Sequence, residues 1–305
     1  MLMNSVTHGA VMGAVKFLLL GAVCATTGCA SLPYRYGRAA DYRNLTPLQP
    51  GEPQIVRGKP NKFLDASGWI WPDSLLSKLL LWNVNVDRHY ISQETEDALR
   101  AYLRANELTD VKIRLNSYDV GGELKRTVRN RGVGPGWRFT LGMYTWLAYT
   151  IMPGRFFGGD NYNPYSNTVS LYSDIPAVAL HEAGHAKDFA RRTYKGTYAF
   201  AYEIPFFDLY PEALATRDAL GYLRATGTRE EQQRGYNILY PAYGTYLGGN
   251  VGQWVEYPWD YLATLVGVIP GHIVGRIRSA TLPEGETGAA PAPGAAQPAP
   301  PAAVR

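Results

Sequence analysis

The chain has 305 residues, a net charge of only +4 and two cysteines, Cys24 and Cys29. That charge gives no reason to invoke a nucleic-acid partner, and the absence of a G-x-x-x-x-G-K-[ST] loop excludes P-loop use of a nucleotide. Both cysteines fall in the N-terminal segment, so a processed chain has no intrachain disulfide and must rely on a packed core. About 250 residues between that segment and the C-terminal tail suit one sizeable domain, or a compact core with additions.

Lys16 precedes a short apolar run at residues 17–25, followed by Thr26-Thr27-Gly28-Cys29-Ala30-Ser31. This predicts a signal peptide over residues 1–28, too short to span as a mature helix; a start at Met12 would give a more ordinary signal length. Gly28-Cys29 resembles a bacterial lipobox, with Thr26 where Leu is usual, which implies that Cys29 becomes the acylated first residue. Ala30 lacks the Asp that favours inner-membrane retention in such signals. The resemblance therefore implies a lipoprotein of the bacterial cell envelope, held in the outer membrane and facing the periplasm.

Residues 29–60, rich in Pro, Gly, Tyr and Arg without periodicity, read as an extended tether, and residues 61–281 as the folded domain. Ser92 caps a helix through about Asn106, with Glu94 and Glu96 in its first turn. Residues 111–118 alternate as a strand. Lys125, Arg126, Arg129, Arg131 and Arg138 surround Gly132-Val133-Gly134-Pro135-Gly136, a solvated loop or a contact for anionic headgroups. Residues 139–152 and 261–274 are apolar, suited to core packing or to a membrane-dipping or partner-binding surface, and short for a span. Residues 158–164 have loop chemistry, and 167–173 alternate as a half-buried strand. Thr228-Arg229-Glu230-Glu231 is a capping box for a helix ending near Pro241. Residues 243–252 are rich in Gly and Tyr without a known motif. Residues 282–305 hold six prolines among alanines and glycines and are expected to be a disordered tail.

The decisive pattern is His181-Glu182-Ala183-Gly184-His185. Asp174 is placed to cap its helix and Pro176 falls in the first turn. Imidazoles at i and i+4 project from one face and reach one metal, while Glu182 lies beside that metal as a general base. A catalytic zinc takes a third protein ligand. Tyr210-Pro211-Glu212 opens a second helix that closes at Gly227, which puts Glu212 in a first turn pointing at the same cleft. Glu203, in an aromatic connector, is the competing ligand. Asp188 either orients an imidazole or pairs with Arg191 or Arg192. Tyr210 and His272 are candidates for an oxyanion donor by residue type alone.

This arrangement resembles the gluzincin branch of zinc metallopeptidases, especially the HtpX-type membrane and periplasmic peptidases, over roughly residues 165–225. Their second ligand helix follows E-x-x-A-D-x-x-A; Glu212, Ala215 and Ala219 match, and Thr216 stands where the pattern has Asp. His181-Glu182-Ala183-Gly184-His185-Ala186 is also similar to the membrane AAA-type proteases, whose distant Asp ligand would have Asp260 as its nearest analogue. The missing nucleotide loop excludes that ATP-driven form.

The gluzincin resemblance implies an α+β, zincin-like fold: a small mixed sheet, an H-E-x-x-H helix and a second ligand-bearing helix. In zincins generally the strand ahead of the active-site helix is an edge lining the cleft, where a substrate peptide can add, and the preceding loop overhangs it; residues 158–164 are equally readable as a plain surface turn. The implied function is a lipid-anchored zinc metallopeptidase of envelope proteins. It would hold one Zn2+ on His181, His185 and Glu212, with Glu182 as base, a peptide or protein as substrate and the membrane as partner through the N-terminal lipid. The alternative is a zincin-scaffold binding or outer-membrane assembly lipoprotein with little or no hydrolysis.

Overall fold

The computed structural model describes residues 34–157, 159–254 and 259–283, the side chains of residues 259–261 excepted. Cys29, the signal segment, the side chain of Asp260 and the tail from residue 284 lie outside the described residues. The architecture is mixed α/β, 61% helical, with one small four-stranded sheet.

In chain order the strands are β1 (Ile55–Arg57), β2 (Lys112–Leu115), β3 (Asn161–Asn163) and β4 (Thr168–Leu171), arranged β1-β2-β4-β3. β1 and β4 flank β2 in parallel, and β3 pairs antiparallel with β4 at the edge. Helices α1 (Lys62–Trp69), α2 (Pro72–Leu81) and α3 (Gln93–Ala105) separate β1 from β2. Between β2 and β3 come α4 (Val120–Arg129), α5 (Pro135–Phe139), α6 (Leu141–Ile151) and α7 (Gly154–Phe157). After the sheet follow α8 (Pro176–Arg191), α9 (Lys195–Ala201), α10 (Leu209–Thr226), α11 (Arg229–Gly252) and α12 (Trp259–Ala280).

Both inner strands alternate as expected and are buried on both faces, β4 where its sequence suggested half-burial. Ile113, Leu115, Val169 and Leu171 face the main core. On the other face α4 roofs the sheet and supplies polar partners. Arg114 pairs with Glu123 at 3.3 Å, both almost fully buried, and with the exposed Asp119 at 3.1 Å. Arg126 donates to the carbonyls of Ser166, Asn167 and Asp110 and pairs with Glu52. Arg126 thus belongs to a structural polar layer, not to a solvated loop. β4 is an inner strand because residues 161–163, expected as loop, take the edge.

The segment expected as a tether is docked from Tyr34 onward. The Tyr34 hydroxyl bonds Asn106 and Asp218, the buried Tyr42 bonds the Asn106 carbonyl, and β1 joins the sheet. Aromatic residues without periodicity fill gaps between elements here, a role that periodicity does not reveal. Ser92 caps α3 by accepting from the Thr95 amide, as expected. Asp174 does not cap α8, whose N-cap is Ile175 without a side-chain bond. Its carboxylate instead accepts from the Ser92 amide and from the Ser92 and Thr95 hydroxyls, pinning the start of α3 beside the start of α8.

The Thr228–Glu231 capping box opens α11 as expected, but the helix runs on past Pro241 to Gly252. An interior proline costs about 3 kcal/mol; here long packing against α12 offsets it. Along that seam Gly244, Gly248, Gly267, Gly271 and Gly275 each lack room for a β-carbon. Residues 139–152 are not core: α6 leaves Tyr144, Leu147 and Ile151 exposed. In residues 261–274 the glycines, Val268 and His272 face inward while Leu262, Leu265, Val266, Ile269 and Ile273 are exposed.

Removing one partner of a buried ion pair costs about 3–5 kcal/mol, whereas replacing both with apolar residues is nearly neutral. In urea unfolding, Glu123→Ala should therefore lose about 3 kcal/mol, Asp119 moderating the loss. The double variant Arg114→Met/Glu123→Leu should regain most of it. Equal losses for the two would show that the pair does not govern stability.

Candidate metal centre

Helix α8 is buried along nearly its whole length, because Ala177, Ala179, Ala183, Gly184 and Ala186 let neighbours approach its backbone. At Gly184 a β-carbon would lie 3.2 Å from the Ala215 carbonyl oxygen and 3.3 Å from its α-carbon. This close crossing brings the first turn of α10 to the face of α8 that carries both imidazoles. Behind it, Lys187 of α8 and Asp218 of α10 pair at 2.7 Å, with the Tyr34 and Tyr102 hydroxyls also on Asp218.

At the crossing three donors converge. His181 Nε2 lies 3.1 Å from Glu212 Oε2, His185 Nε2 lies 3.3 Å from Glu212 Oε1, and the two Nε2 atoms are 3.1 Å apart. All three side chains are buried. A tetrahedral ion bonded at roughly 2.0–2.1 Å to imidazole nitrogen and carboxylate oxygen has ligand–ligand edges of about 3.3 Å, so these separations suit one small divalent cation. Among the described residues no other group of three or more His, Cys, Asp or Glu comes this close. The buried group can bind a metal ion.

Burial by itself would raise the Glu212 pKa, but contacts with His185 and His181 hold it well below the usual carboxylate range. Glu182 is buried beside this group; burial, with Glu212 and Asp160 nearby, pushes its carboxyl up to about 8. The Tyr162 backbone amide of β3 bonds Glu182. Both β3 and β4 lie against the helix, but the edge strand is β3, in the segment read as an overhanging loop or a surface turn, and the strand at 167–173 is inside the sheet.

Each imidazole has a hydroxyl near its second nitrogen. Thr216 Oγ1 is 3.3 Å from His181 Nδ1, and the Tyr202 hydroxyl is 3.5 Å from His185 Nδ1. Thr216, which stands where the resembled pattern has Asp, thus places a neutral hydroxyl at His181 Nδ1. Tyr246 of α11, its ring partly exposed, reaches toward Glu212; burial first, then Glu212 and Glu182, raise its pKa. Only Thr216 carried a sequence signal. Tyr202 lies in the aperiodic connector, and Tyr246 in the Gly/Tyr-rich stretch.

Other candidates fall elsewhere. Asp188 pairs with Arg192 at 2.6 Å, the second of its two expected roles. Tyr210 is half exposed and packs on Phe207, not on the ligands. His272 bonds the Leu80 carbonyl and stacks on Trp82; its neighbours are those of α2, so it is no oxyanion donor at this centre. Glu203 is exposed and outside the ligand group. No family model, no curated protein and no solved structure matches the chain.

Purified protein should carry about one zinc per chain by elemental analysis. Glu212→Ala should lose it, while Glu203→Ala and Asp260→Ala should keep it. In chelator competition Thr216→Val should weaken affinity about tenfold, the usual scale for support behind a ligand. Zinc loss in Asp260→Ala with retention in Glu212→Ala would move the third ligand.

Proposed function

We propose that the chain is a gluzincin-type zinc metallopeptidase, anchored by lipid at Cys29 in the outer membrane and cleaving envelope proteins from the periplasmic side. The observation that carries this reading is the convergence of His181, His185 and Glu212 with the Glu182 carboxyl buried beside them. Two imidazoles and one carboxylate suit zinc and leave a coordination position open. Zinc held there supplies the Lewis acidity that activates water and polarises a peptide carbonyl.

The chain's own groups carry the proton. Glu182 accepts it from the attacking water, its burial making it a stronger base than an ordinary carboxylate. It then delivers that proton to the departing nitrogen, so the C–N bond breaks to a neutral amine. The free edge of β3, whose amide already reaches Glu182, offers an extended peptide a strand to pair with. Tyr246 and Tyr202 place hydroxyls beside the ligands, where Tyr210 and His272 do not reach. The N-terminal apolar run and Gly28-Cys29 support the envelope location.

Glu182→Gln is the direct test, assayed on a library of unfolded peptides. The variant should keep its zinc and fold and lose hydrolysis by at least about a hundredfold, the scale of a general base. An unchanged rate would overturn the base assignment. A wild-type protein that carries zinc and cleaves nothing would favour the scaffold alternative.

A further inference from the structure

Helix α2 is built inside out. Along with Leu80 it buries Ser74 (0% exposed) and Lys78 (8%), and it turns Leu75, Leu76 and Leu79 outward, Leu79 at 67%. The Lys78 ammonium is satisfied internally by the carbonyls of Trp69, Ser74 and Asp87. Helix α12 shows the same inversion. Gly267, Gly271 and Gly275 meet the backbone of α11, while Ile269, Ile273 and Ile277 are each more than half exposed.

The two faces adjoin. His272 of α12 bonds the Leu80 carbonyl of α2 and stacks on Trp82 at 4.1 Å, and Arg276 lies over Trp82 at 4.8 Å. In water a surface helix hides its apolar stripe and shows its polar one. Here the reverse holds on two neighbouring helices, giving an aliphatic surface of a kind that monomeric soluble proteins rarely expose.

We infer that the outward face of α2 and α12 docks on a lipid bilayer. On α2 the exposed charge is Asp73, but the α12 end is cationic, since Arg276 and Arg278 stand where the aliphatic stripe ends and no acidic residue lies between Asp260 and Glu284. That suits anionic headgroups above an acyl layer. A protein interface would carry a more mixed composition with a polar rim. Close glycine packing of α11 on α12 also holds a helix pair where no water drives association. The chain ahead of Tyr34 contains the apolar run 17–25. Tyr34 itself packs on α10 at Gly221 and Tyr222, with only α11 between α10 and α12, roughly 16–20 Å in all at ordinary helix spacings. No described helix is long and apolar enough to cross the membrane, so the face lies on the bilayer rather than through it.

The inference shares with the proposed function only the membrane attachment of the N-terminus. Its test uses the full chain with Cys24→Ser and Cys29→Ser, so that one introduced cysteine is unique. Ile273→Cys, Leu79→Cys and, as control, the exposed α3 position Arg104→Cys are labelled with an environment-sensitive fluorophore. Each is mixed with vesicles of phosphatidylethanolamine and phosphatidylglycerol bearing brominated acyl chains. The labels at 273 and 79 should shift to the blue and be quenched several-fold more than the label at 104. Equal, weak quenching at all three sites in vesicle-bound protein overturns the inference. So does a blue shift without bromine quenching accompanied by crosslinking of two copies, which would make the face a protein interface. Zinc content of the same samples is read separately, so failure of the docking face is distinct from failure of the peptidase reading.

Discussion

Helices α8 and α10 cross with almost nothing between them at Gly184 and Ala215, and the centre depends on that contact. A side chain at Gly184 would have to push on the α10 backbone itself. Because they touch, Glu212, one turn before Ala215, reaches both imidazoles, and Thr216, one residue after it, reaches the other side of His181. The Lys187–Asp218 pair clamps the same two helices further along, and the Tyr34 and Tyr102 hydroxyls bind the clamp. The ligand geometry is thus a property of how two helices pack, with the N-terminal segment wedged against them.

Much of this was legible because it is local. The i, i+4 histidines, the Ser92 cap, the Thr228–Glu231 box and the first-turn position of Glu212 are set by residues within one or two turns of each other. What was not legible depends on distant partners. Asp174 leaves its own helix uncapped and instead binds Ser92, the cap of a helix 82 residues earlier, and the Thr95 hydroxyl. Residues 161–163 became a strand because β4 offered an edge, against their own Asn-rich propensity. Tyr202 and Tyr246 reach the centre from elements whose sequences carry no period pointing there.

Periodicity also says which residues share a face, but not what that face meets. The alternation in β2 marked Lys112 and Arg114 as the polar side, and solvent was the natural inference; α4 covers that side and answers it with Glu123. In residues 261–274, suited by their sequence to core packing or to a membrane-dipping or partner-binding surface, Leu265, Ile269 and Ile273 are turned outward, as are Leu75, Leu76 and Leu79 of α2. The molecule carries charge in its interior and aliphatics on part of its exterior, each balanced by a neighbour that pattern alone does not name.

The acylation proposed at Cys29 would turn the docking of Tyr34 into a limit on reach. Four residues, or five chain steps, separate Cys29 from Tyr34, and extended chain spans at most roughly 3.3–3.6 Å per residue, so acylation at Cys29 would leave under about 18 Å of line. Since Tyr34 is bonded to the ion pair that clamps α8 to α10, that short line ends on the helices bearing the metal ligands. A centre moored this way would patrol only a thin shell above the bilayer. Chains still lying against the membrane would come within its range, and proteins already released into the surrounding space would pass beyond it.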